Sequence, residues 1–72
     1  MLSFAIEEPD GIIEIFFDTE GRDQLIGMLN AISAPGVHDH LMTPSWGGNE
    51  LDEILFGANN RRVYQVNIGI PR

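Results

Sequence analysis

The residues able to do chemistry crowd into one stretch, His38-Asp39-His40-Leu41-Met42-Thr43-Pro44-Ser45-Trp46-Gly47-Gly48-Asn49-Glu50-Leu51. His38 and His40 stand at i and i+2. On a strand that spacing points both rings to one face, about 7 Å apart. Neutral imidazoles so placed could clip a metal such as zinc, and Glu50 offers a third ligand. The plainer reading has two solvated rings bonded to neighbouring carboxylates. That reading is preferred, so no metal is expected, with His38 and His40 kept as the alternative pair. Ser45 with Asp39 and either histidine has the composition of a catalytic triad. No nucleophile elbow or oxyanion arrangement accompanies it. The chain is therefore expected to be a non-enzyme without a cofactor.

Trp46 is the one tryptophan, and two glycines follow it. Such a ring has two explanations. It could fold back to cap the open end of the core while the glycines turn the backbone beneath it. It could instead face a partner as an anchor, a role in which tryptophan is over-represented. The two are compatible, because the edge of a capping ring can stay exposed.

Charge and size frame these possibilities. The 72 residues hold 11 Asp plus Glu against 4 arginines, with no lysine and a formal net charge of -7. That excludes a basic nucleic-acid binder, which needs cations to neutralise phosphate. No cysteine is present, so neither a disulfide framework nor a cysteine zinc site can staple the fold. No apolar run approaches the ~20 residues of a membrane helix. The start MLSFAIEEPD lacks the basic and apolar regions of a signal peptide, so a cytoplasmic location is expected. One domain spanning residues 1–72 is expected, because two cores need more chain. A deep enclosed site is hard to build at this size, whereas a binding surface is easy. The acidic residues concentrate in the first third of the chain, from Glu7 to Asp23. They serve solubility or steer a basic partner.

Elements follow from periodicity. Leu2, Phe4 and Ile6 alternate with Ser3, Ala5 and Glu7, which predicts a strand. Pro9-Asp10-Gly11 predicts a turn, and Ile12 to Phe17 a second strand, apolar on both faces apart from Glu14. Asp18 and Thr19 offer N-cap oxygens to a helix over about residues 19–33. Its apolar stripe is Leu25, Ile26, Leu29 and Ile32, and Pro35-Gly36 stops it. Val37 to Met42 predicts a third strand, and Thr43 to Asn49 an irregular loop. Glu50 to Phe56 is undecided between helix and strand. Gly57-Ala58-Asn59-Asn60 predicts a turn, and Arg61 to Ile70 a last strand with Tyr64, Val66, Ile68 and Ile70 on the core face. The sum is an α+β fold: a small antiparallel sheet of about four strands, order β-β-α-β-β, with one helix packed on one face.

The run from His40 to Leu51 resembles the signature of the immunity protein 32 family of bacterial polymorphic toxin systems, with its His-Leu-Met and Trp-Gly-Gly segments and a nearby acidic residue. The layout of two strands, a helix and a final strand is similar too. The resemblance implies neutralisation of a cognate toxin by direct binding in the cytoplasm. The family's marked positions fall on His40, Trp46, Gly47, Gly48 and Glu50, and with Asn49 these are the implied partner-binding residues. The implied partner is a protein toxin of basic character, with no nucleic acid or membrane involved, and the chain is a monomer or homodimer. The alternative is a small metal-binding or self-associating regulatory module.

Overall fold

The structure, a computed structural model, describes residues 1–57 and 60–72. The elements run β1 (Leu2–Glu7), β2 (Ile12–Phe17), α1 (Thr19–Ala31), β3 (His38–Met42), a 3₁₀ turn (Pro44–Trp46), β4 (Asn60–Arg62) and β5 (Gln65–Gly69). The fold is α+β, as expected, but with five strands in two antiparallel sheets. One has the order β2-β1-β4, the other is the pair β3-β5. The predicted last strand is thus two strands. Val63 and Tyr64 separate them and carry the chain from the first sheet to the second. Glu50 to Phe56 forms neither helix nor strand. The predicted turn at 57–60 lies partly outside the described residues.

β1 is central because its alternation feeds two faces. Leu2 pairs with Phe17, Phe4 with Ile15 and Ile6 with Ile13. Directly opposed residues share a face, so these six lie together, with Arg61 opposite Ile6 on β4. Helix α1 covers the Leu2–Phe4 end of this face. Leu2, Phe4, Leu41 and Leu51 form the core, and Leu25, Met28, Val63, Val66 and Ile68 pack against it. The opposite face carries Ser3 and Phe16. There the irregular segment closes the sheet: the Ser3 hydroxyl donates to the Ile54 carbonyl at 2.8 Å, and Phe56 lies 4.8 Å from Phe16, centroid to centroid. Asp52 ties the same segment to β1, its N–H donating to the Leu2 carbonyl and its carboxylate accepting from the Leu2 N–H.

Helix α1 starts where its caps require. The Asp18 carboxylate accepts from the Gly21 N–H at 2.8 Å and also meets the Met1 ammonium. These contacts, the ammonium first, hold the Asp18 carboxyl below its ordinary range. The inward stripe differs from the expected one. Gly21, Leu25 and Met28 face the sheet, while Ile26 and Leu29 stay about half exposed. Gly21 sets this phase. A Cβ there would lie 1.7 Å from the Met1 carbonyl oxygen and 3.2 Å from the Phe17 Cβ, so only glycine lets the first turn sit that close. Along β5, Val66 and Ile68 pack inward as expected, whereas Ile70 is exposed and Tyr64 is engaged elsewhere.

Candidate functional site around Trp46

The loop that holds Trp46 hangs from Thr43. That residue is fully buried, and its N–H donates to the Tyr64 carbonyl at 3.0 Å. Its own carbonyl accepts from the N–H groups of both Trp46 and Gly48 at 3.0 Å. Pro44 opens the 3₁₀ turn, where its missing N–H is no loss. Gly47 closes the turn with φ of 91°, in the left-handed region that favours glycine. Gly48 then passes so near β3 that a Cβ would stand 2.5 Å from the Met42 carbonyl oxygen. Both glycines are thus accounted for by backbone geometry.

This scaffold presents the indole. Trp46 is 57% exposed, so the ring is not a core cap. Its covered side stacks on Tyr64, with centroids 5.8 Å apart and planes within 10°. Tyr64 was expected on the core face; it serves as the platform for Trp46. Glu53 is the other residue that sequence reasoning missed. Its carboxylate accepts the Ser45 N–H at 2.8 Å and so ties the turn to the irregular segment. Hydrogen bonds from Ser45, then from Thr43, and the charge of Arg62 hold the Glu53 carboxyl below its ordinary range. Neither residue had a signal in spacing, since both contacts join segments far apart in sequence.

An open cleft of about 440 Å³ lies beside the stack, lined among others by Ile6, Arg61, Arg62 and Gln65. The aromatic pair therefore stands beside two arginines that each have an acidic neighbour, Glu8 for Arg61 and Glu53 for Arg62. Arg61 pairs with Glu8 at 3.1 Å. The buried Nε of Arg62 has no hydrogen-bond partner among the described residues.

The other predicted residues scatter. His40 is exposed on β3, its Nδ1 3.1 Å from the Gln65 amide nitrogen. Its ring meets His38 edge to face at 5.1 Å. Among the described residues no group of three or more His, Cys, Asp or Glu could hold a metal, so Glu50 does not complete the pair. The Glu50 carboxylate accepts the Asn49 N–H instead, and its carbonyl accepts from Gln24. The nominal triad is not assembled either. The Ser45 hydroxyl lies 3.3 Å from that of Thr43, and the Asp39 carboxylate accepts the His40 backbone N–H. Of the expected partner-binding set, Trp46 is the presented group, Gly47 and Gly48 shape its turn, and His40 touches Gln65, which lines the same cleft as Trp46 and Tyr64.

No protein-family model, curated protein or solved structure matches the chain. No helix among the described residues is long and apolar enough to cross a membrane.

Proposed function

We propose that the chain is an immunity protein of a bacterial polymorphic toxin system, which binds its cognate toxin and neutralises it by occlusion. The single observation that carries this reading is the presentation of Trp46. A ring on a turn held at both ends, stacked on Tyr64 and still 57% exposed, has less conformational entropy to lose when a partner arrives. The net charge of -7 supports a basic partner, because opposite fields raise encounter rates. The run His40 to Leu51 supports the family. In this reading the protein is not an enzyme, works in the cytoplasm and needs no metal.

The test is co-expression with the product of the neighbouring gene. Co-purification of the two, with growth restored to cells carrying that product, is the expected result. Failure of both binding and rescue would sink the proposal.

A further inference from the structure

β2 is an edge strand, and it lacks the features that normally guard an edge. It lies outermost in the order β2-β1-β4, so no strand among the described residues pairs with its outer row of N–H and C=O groups. Natural edges are blunted by lysine, proline or a bulge. Ile12 to Phe17 contains neither residue, and it pairs with β1 in unbroken register. Its core-face side chains are uncovered as well: Ile13 is 65% exposed, Phe17 49% and Ile15 45%. Helix α1 approaches this row only at its Phe17 end, through Gly21, and Ile26 and Leu29 add apolar surface on its own exposed side.

Charge decides what fits there. Asp10 stands exposed at one end of β2 and Glu20 beyond the other, with Glu14 the sole charge within, while Asp18 is already paired with the Met1 ammonium. Arg22 is already paired with Asp23. A second copy fits poorly in the two registers that pair most of the strand. In a symmetric antiparallel pair, opposed residues must share a face, so the pairing centres on a residue. Centred on Glu14, it sets two carboxylates against each other. Centred on Ile15, it sets the Asp10 end of each strand against the Glu20 end of the other. Like charges so placed destabilise a sheet.

We infer that β2 accepts an extended segment of the protein partner, apolar in its middle and basic at its ends, as an added strand of the sheet. Main-chain hydrogen bonds to the open edge supply affinity, and alternate side chains rest on Ile13, Ile15 and Phe17. The basic ends meet Asp10 on one side and Glu20 on the other. This inference rests on the proposed partner-binding function and names the surface and the chemistry of what it holds.

The test needs no toxin, so its failure is separable from failure of the growth-rescue assay. The ¹⁵N-labelled chain is titrated with a synthetic peptide of alternating valine and threonine flanked by paired lysines, and with the same peptide carrying glutamates for the lysines. Shifts and new amide protection at residues 12–17 are expected with the lysine peptide, with affinity at least about 10-fold above the glutamate peptide at low salt. Ile13→Lys, at an exposed position, should leave the melt unchanged and weaken the lysine peptide at least about 10-fold. Three results overturn the inference: no shift along β2, equal affinity for the two peptides, or a dimer by sedimentation with β2 amides protected before peptide is added.

Discussion

Replacing Trp46 with alanine separates a presented ring from a structural one. A fully covered tryptophan buries up to about 250 Å². With 57% of Trp46 exposed, roughly 100 Å² is covered, worth about 2.5 kcal/mol at ~25 cal/mol per Å². Residual burial in the unfolded chain lowers this by roughly 10–40%, to about 1.5–2.2 kcal/mol. A core tryptophan would cost about 3–5 kcal/mol, enough to unfold much of a domain this small. Trp46→Ala should therefore stay folded, with Tm lower by about 5–15 °C, read by far-UV circular dichroism. Affinity for the partner should fall at least about 30-fold in calorimetry, the mark of a hot spot. Loss of more than about 3 kcal/mol would return the ring to the core. Unchanged affinity would remove it from the interface.

Stacking on Tyr64 should appear as a coupling of about 0.5–1.5 kcal/mol in a double-mutant cycle of Trp46→Ala and Tyr64→Leu, measured by urea unfolding. Gly27→Ala should stabilise by about 0.8–1 kcal/mol, because a Cβ there meets nothing within 4 Å. Gly21→Ala, the same change six residues earlier in the helix, should destabilise by well over about 2 kcal/mol, since its Cβ would land on the Met1 carbonyl. Thermal melts of the pair read both signs. Glu53 has its folded pKa depressed, so its contribution is present above the ordinary carboxylate range and lost as pH falls through the folded value. Glu53→Gln should flatten the loss of stability below about pH 4.5, seen as a smaller drop in Tm between neutral and acid buffers.

The elements legible in the sequence were those coded by local chemistry. Alternation at Leu2 to Glu7, the Pro9-Asp10-Gly11 turn and the Asp18 cap each act within a few residues, and each forms where expected. What escaped depends on contacts distant in sequence. The stripe of α1 rotated from Leu29 to Met28 because Gly21 must clear Met1, a constraint no helical periodicity contains. The segment from Glu50 to Phe56 has no regular pattern because its bonds run to β1, at Leu2 and Ser3, rather than to itself. At the site, Trp46 was visible by type and by its glycines. Tyr64 and Glu53 were not, since stacking across 18 positions and a tether across eight leave no spacing rule.

The apolar character of β2 on both faces reads as a demand for burial, yet it does not say whether the cover belongs to the same chain. One face is met by Phe56, and on the other Ile13, Ile15 and Phe17 stay exposed, with α1 close only to the Phe17 end. That open face connects to the Trp46 cleft. Arg61, Ile6 and Ile13 form one row across the sheet, and the first two also line the cleft. Strands lie about 4.8 Å apart, so the row spans only about 10 Å. A partner footprint of ~800 Å² per side is wider than that. One partner should thus touch both Trp46 and β2. Groups separated by more than about 7–10 Å contribute almost additively. Trp46→Ala combined with Ile13→Lys should then lower affinity by about the product of the two single effects, measured by calorimetry against the same partner. If the double variant binds no more weakly than the worse of its parents, the two surfaces do not share a partner.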